Sequence, residues 1–231
     1  MICIELWSGD STGLQGARRW AYENQEDLEI ITVDINPEFD PTIEDDIINV
    51  TADQLRDLCK GERPFMIWAS PDCSVFSVAG FAAGHFRTER GHYIPNTPKA
   101  MEMVERHKHT IALIESLDPV YFVIENPVGL LRMMPWMQQF HRDTVTYCQY
   151  GDDRMKPTDL WGGFPMNWAA KPRCSPNDRC HTPSPRGSQD GTQGLSHRER
   201  SHIPVQLSIA MWKAAIESDG YRRQDLREWL S

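Results

Sequence analysis

Short apolar runs, each closed by a polar turn, alternate along this chain with segments of helical period. Ile2-Cys-Ile-Glu-Leu-Trp7, Leu28-Glu-Ile-Ile-Thr-Val33, Phe65-Met-Ile-Trp68 and Val120-Tyr-Phe-Val-Ile124 have the length and β-favouring content of buried strands. A fifth strand is expected over Asp143-Thr-Val-Thr-Tyr-Cys-Gln-Tyr150, and a short one near Pro41–Ile47. Helical pattern follows the first strand to about Trp20-Ala21 and runs from Thr51, a natural N-cap, to Cys59. Further helices are expected from about Lys99 to Ser116, from Val205 to about Ser218, and over the charged stretch Tyr221–Ser231. Strand, glycine turn and helix in that order begin a doubly wound α/β fold with a mixed sheet.

Two stretches break the rhythm. Val78–Pro98 is glycine-rich and mixed in charge, and reads as a long functional or mobile loop. Residues 162–202 carry Gly162-Gly163, further prolines and glycines in turn settings, and little periodicity. The expected organisation is a main domain over 1–161, a small irregular region over 162–202, and C-terminal helices over 203–231 that return to the main domain.

Charge sharpens this division. The net charge of -9 argues against a general nucleic-acid binder, but its distribution is uneven. Residues 1–140 hold 11 basic against 22 acidic side chains, whereas residues 141–202 hold 9 against 7 and four of the eight histidines. A local basic face on an acidic body is compatible with DNA at one surface. Six cysteines without a regular framework point to free thiols in a reducing compartment, and no apolar run nears the roughly 20 residues of a membrane span.

The candidate chemistry sits at strand ends. Cys73 follows the Phe65–Trp68 strand in a turn of small residues, where a partly exposed thiol can serve as a nucleophile. Glu125, fixed by Asn126-Pro127 at the end of the next buried strand, is placed as a general acid. Asp34 ends the second strand beyond the Ser8–Gly13 turn, a position suited to ribose hydroxyls. Arg154 and Lys156 put two cations on one side of an extended segment, suited to phosphate or an anionic intermediate. His107 reads as a surface or packing histidine. Cys174, Cys180 and His181, with His197 or His202, have a partial likeness to a zinc site, but the spacing is not a standard one. Unligated surface residues, and no metal, are expected there.

Taken in order, these stretches resemble the cytosine-5 DNA methyltransferases. Glu5-Leu-Trp-Ser-Gly9 is similar to that family's cofactor turn, and Pro71-Asp-Cys73-Ser-Val-Phe-Ser77 to its nucleophile loop. Glu125-Asn126-Pro127 and Gln149-Tyr-Gly151 with Arg154-x-Lys156 resemble two further motifs, and Arg200-Ser-His-Ile-Pro204 leads into the final helix. The likeness is greatest to small phage-encoded members. Three positions depart from the pattern: Ser11 replaces a glycine, Asp72 a proline, and Lys156 an arginine.

The resemblance implies S-adenosylmethionine as cofactor, with Trp7, Gly9, Asp34 and Asp46 around it, and Cys73, Glu125, Arg154 and Lys156 as catalytic groups. It implies double-stranded DNA as partner, contacted by Arg173, Arg179, Arg186 and Arg200 of a small target-recognition region. A monomer in the cytoplasm of a bacterial host cell is expected. Two other readings stay open: a catalytically silent DNA-binding relative, and an enzyme of the same scaffold using another pyrimidine or another donor group.

Overall fold

The computed structural model describes residues 1–183 and 195–229. Its frame is one seven-stranded sheet. In chain order the strands are β1 (Ile2–Leu6), β2 (Glu29–Asp34), β3 (Ile43–Glu44) and β4 (Met66–Ala69). A separate antiparallel hairpin follows, β5 (Phe86–Glu89) and β6 (His92–Pro95). The main sheet resumes with β7 (Tyr121–Pro127), β8 (His141–Thr146) and β9 (Pro157–Gly163). Across the sheet the order is β3-β2-β1-β4-β7-β9-β8. Neighbours pair parallel from β3 to β7, while β9 pairs antiparallel with both β7 and β8. The doubly wound mixed sheet expected from the sequence is the fold found.

Helices cover both faces, as a parallel sheet requires. On one face α1 (Gln15–Asn24) and the long α6 (Val205–Trp229) close a core of Phe65, Trp68, Tyr121, Leu207, Met211 and Trp212. They meet closely at Gly16, where an added Cβ would lie 2.5 Å from Ser208 and Ile209 backbone atoms, and Ser208 Oγ accepts from Gly16 N–H at 2.8 Å. On the other face α2 (Ala52–Leu58) and α4 (Pro98–Leu117) pack with Ile4, Ile31, Ile67 and Ile124. Thr51 and Thr97 cap α2 and α4, and α5 (His197–Ser201) precedes the final helix.

Four elements differ from expectation. The Val78–Pro98 stretch is ordered as α3 (Val78–Ala82) and the β5–β6 hairpin, whose turn uses Arg90 at φ 50° and Gly91 at φ 82°. The fifth expected strand stops at Thr146; Tyr147–Tyr150 instead form a 3₁₀ turn closed by Gly151 at φ 86°. β9 begins at a proline and ends in Gly162-Gly163, residues that read as a turn. There Gly162 serves a close approach, since its Cβ would sit 2.0 Å from the Phe122 carbonyl oxygen. The last helix continues through Gly220 to Trp229 instead of breaking in two.

Candidate active site at the strand ends

The sheet changes direction between β1 and β4: the chain winds outward from β1 through β2 to β3, and from β4 through β7 the other way. A crevice outside the carboxyl ends of such strands is where open α/β sheets bind ligands. The Trp7–Gly13 turn and the Ser70–Ser77 loop leave those two neighbouring ends, and β7 delivers Glu125 beside them.

The first turn is built around strained backbone and a buried carboxyl. Trp7 at φ 58° and Ser11 at φ 53° occupy the left-handed region, which costs a non-glycine residue of the order of 1 kcal/mol. Trp7 is held there by its indole N–H, which donates to Thr110 Oγ1 of α4 at 3.0 Å. Ser11 donates its hydroxyl to Glu5, whose other oxygen accepts from Gly13 N–H at 2.8 Å. Burial raises the Glu5 carboxyl to about 7, against the lowering effect of the Ser11 and Gly13 hydrogen bonds. So Ser11 adopts a backbone conformation that favours glycine and holds the turn through Glu5. Gly9 at φ 48° has no atom within 4 Å of a would-be Cβ, which leaves that side of the turn open to a ligand. Asp34 accepts from Gly9 N–H at 2.8 Å and from Asn36 N–H at 2.9 Å, locking the end of β2 to the turn. Asp46 lies differently. Its carboxylate is gripped by Arg106 of α4, which holds it below the usual carboxylate range, and it also caps the turn at Ile48.

The Ser70–Ser77 loop that carries Cys73 is clamped from three sides. Asn126 Nδ2 donates to the Pro71 carbonyl at 2.7 Å, tying the Glu125-Asn126-Pro127 segment to the loop. Leu130 N–H donates to the Phe76 carbonyl at 2.6 Å, and a Cβ on Gly129 would meet that same oxygen at 2.4 Å. On the far side α3 comes so near that a Cβ on Gly80 would lie 2.3 Å from the Ser74 carbonyl oxygen. His107 is buried beneath the loop, stacked edge-on to Phe76, and its Nε2–H donates to the Asp72 carbonyl at 3.3 Å. Burial lowers its pKa to about 4, so it stays neutral. It is a packing histidine, buried and not on the surface.

Cys73 is half-buried in this clamp. Burial pushes its thiol up, Lys156 pulls it down, and Glu125 and Asp72 push it up again. The charges of these three side chains are thus all felt at the sulfur. Asp72 is turned into its own loop, where its oxygens accept from Ser74 N–H at 2.6 Å and Ser74 Oγ at 3.2 Å. Glu125 is buried and accepts the Tyr147 hydroxyl at 2.7 Å, with Lys156 Nζ 3.9 Å from the same oxygen. Lys156 also lies 4.6 Å from the Tyr147 ring centroid and donates to the Arg200 carbonyl at 3.1 Å. Tyr147 escapes sequence reading because it looks like one more apolar strand residue. Its phenol is held well above its ordinary value by burial and then by Glu125.

Arg154 is placed differently from Lys156. Its guanidinium donates to Asp152 and to the carbonyls of Glu199 at 3.0 Å, Arg200 at 3.1 Å and His202 at 3.3 Å. All three of its nitrogens are engaged: Nε holds Asp152, Nη1 holds α5, and Nη2 is shared between Asp152 and the residue just beyond α5. Arg173 and Arg179 are exposed on the irregular segment and Arg200 is half-buried; Arg186 lies outside the described residues. His202 pairs with Asp10 at 2.7 Å, away from the cysteines. Of Cys174, Cys180 and His181, Cys180 is exposed as expected and His181 is half-buried. Cys174 is buried, and Cys148 at the end of the sheet joins all three in one cluster.

No family model matches the sequence, and no characterised relative was found for it. Among solved structures, the chain is similar to a candidate DNA modification methyltransferase encoded within a prophage, from E. coli. The TM-score is 0.49 and the identity 16%, over 71% of this chain and 46% of that one. The chain thus spans less than half the length of that protein.

Proposed function

We propose that this protein is a DNA cytosine-5 methyltransferase with Cys73 as nucleophile and Glu125 as the group that activates the ring. One observation carries the reading above all. Cys73 and Glu125, 52 positions apart, are brought together by adjacent parallel strands, the loop leaving β4 and the end of β7, tied by the Asn126–Pro71 hydrogen bond, with Lys156 3.9 Å from Glu125 and its charge felt at Cys73.

Carbon 5 of cytosine is a poor nucleophile until something adds at carbon 6. The Cys73 thiolate adds there, and the electron pair moves into the ring towards nitrogen 3. Glu125 binds at that nitrogen, held in place by the Tyr147 hydroxyl. Lys156 favours the thiolate by its charge and lies against Glu125. Carbon 5, now enamine-like, is alkylated; its proton then leaves and the thiolate is expelled. A base in a duplex hides this face, so the cytosine must be turned out of the stack, at a cost of a few kcal/mol. S-adenosylmethionine fits the open side of the Gly9 turn, with Trp7 and Asp34 as its other partners, and supplies the methyl group when bound. Asp46, gripped by Arg106, shapes that end of the crevice from behind. Arg173, Arg179 and Arg200 give the irregular segment phosphate contacts that set register on DNA.

The test uses the full chain with S-adenosylmethionine and duplex DNA, reading products by nucleoside mass spectrometry. 5-Methylcytosine is expected; methylation of an exocyclic amine, or cofactor binding without transfer, would defeat the proposal. DNA carrying 5-fluorocytosine gives a second reading, because fluorine cannot leave as a proton does. A stable protein–DNA adduct is expected for the native chain and none for Cys73→Ala.

A further inference from the structure

Four donor atoms meet at the end of the sheet, where Tyr147–Tyr150 turn out of β8 and the irregular segment folds back. They are the Sγ atoms of Cys148, Cys174 and Cys180 and a nitrogen of His181, all within 4.8 Å of one another. The geometry points to a structural zinc site of three thiolates and one imidazole. This site is independent of the methyltransferase reading.

The distances carry it. Zinc bound by sulfur at about 2.3 Å and nitrogen at about 2.0–2.1 Å defines a tetrahedron with sulfur–sulfur edges of about 3.8 Å and sulfur–nitrogen edges of about 3.6 Å. Here Cys148 lies 3.1 Å from Cys174 and 3.6 Å from Cys180. His181 Nδ1 lies 3.8 Å from Cys174 and 3.6 Å from Cys180. A disulfide would draw two sulfurs to about 2.05 Å and leave the other two donors idle. Thiolate and imidazole donors together favour a tetrahedral zinc ion over the hard cations that prefer oxygen.

The surroundings are those of a ligated cluster. Gln149 Nε2 donates to Cys180 Sγ at 3.4 Å, and Thr146 Oγ1 accepts from Cys174 N–H at 3.1 Å, orienting two ligands from the sheet side. Between Cys174 and Cys180 the chain makes a tight turn, with Ser175 N–H donating to Asp178 at 2.6 Å and Asp178 N–H to the Ser175 carbonyl at 2.9 Å. Beyond His181, Thr182 N–H donates to the Asp153 carbonyl at 2.8 Å. Residues 169–183 form no helix or strand. A segment so poor in regular structure gains its fixed shape from cross-links in place of a core. The ion would pin it to the Gln149-Tyr150-Gly151 turn, seven residues before Lys156 along the chain from Gln149.

The full chain, expressed in zinc-supplemented medium and purified without chelator, should contain about one equivalent of zinc by elemental analysis. Replacement by cobalt should give the visible bands of a tetrahedral ion and sulfur-to-cobalt charge transfer. Cys180→Ser alters the most exposed ligand, so folding is least at risk. It should weaken metal affinity by more than the roughly 10–100-fold that loss of an outer hydrogen-bond partner gives. Cys59→Ala, outside the cluster, should keep the metal. The proposal falls if the native chain neither retains zinc nor takes up cobalt. It also falls if Cys180→Ser and His181→Ala bind metal as tightly as the native chain, or if intact-mass analysis shows a Cys148–Cys174 disulfide in metal-free protein.

Discussion

At the scale of single residues, burial raises two groups of the site, the Cys73 thiol and the Glu5 carboxyl, against a neighbouring charge at one and hydrogen bonds at the other. The Cys73 thiol is raised chiefly by burial, and Lys156 is the largest influence that lowers it. Lys156→Met should therefore move the pH midpoint of thiol alkylation upward, while Asp72→Asn, which removes a charge that raises the thiol, should move it downward. Mass-resolved alkylation of Cys73 across pH checks both, and identical midpoints would mean that neither charge reaches the sulfur. Glu5 offers a stability test. Its folded pKa of about 7 lies above the ordinary 4.5, so the folded state binds the extra proton between those values. The associated stabilisation is complete below about pH 4.5 and is lost as pH rises through about 7. A displacement of that size corresponds to about 3 kcal/mol at most. Glu5→Gln should flatten this part of the urea-unfolding profile between pH 5 and 8, and an unchanged slope would show that the carboxyl is ionised throughout.

At the scale of elements, close backbone approach decides where Cys73 stands. Gly129 has no room for a side chain against the Phe76 carbonyl, so Gly129→Ala must push the loop or the Glu125 segment aside. A loss of about 1–3 kcal/mol is expected, together with a larger fall in transfer rate than that instability explains. Folded protein with native activity would show that the clamp is slack. Elements of this kind differ in how plainly the chain announces them. β1, β4 and β7 are nearly continuous apolar runs buried on both faces, and their ends mark Cys73 and Glu125 without any structure. β9 is hidden by Pro157 and Gly162-Gly163, whose meaning depends on Phe122 coming within contact from another strand. The β5–β6 hairpin is short and largely polar, so no alternation stands out. Tyr147 and Cys148 are equally illegible, because each acts on partners at least 22 positions away that only the folded sheet supplies.

At the scale of the whole molecule, the question is what fastens the C-terminal third to the sheet. α6 is docked on α1 through Gly16 and Ser208, and Ile203 just before it is buried in the same core, whereas the short α5 ahead of them is polar. Arg154 supplies the fastening there: its guanidinium reaches the backbone carbonyls of Glu199, Arg200 and His202 while Asp152 balances its charge. Lys156 adds a second bond to Arg200, so both cations of the Arg154-x-Lys156 pair meet the segment that leads into α6. If this holding role is the main one, Arg154→Ala should leave Asp152 half-buried without its partner and cost about 3–5 kcal/mol. Residues 195–202 should then become the first site of limited proteolysis, and DNA affinity should fall because Arg200 is no longer held. Arg154→Lys keeps the charge but not the fork, and should retain less than half of the stability that Arg154→Ala loses. The opposite pattern, native proteolytic resistance with transfer alone abolished, would make Arg154 a direct contact to the turned-out nucleotide instead.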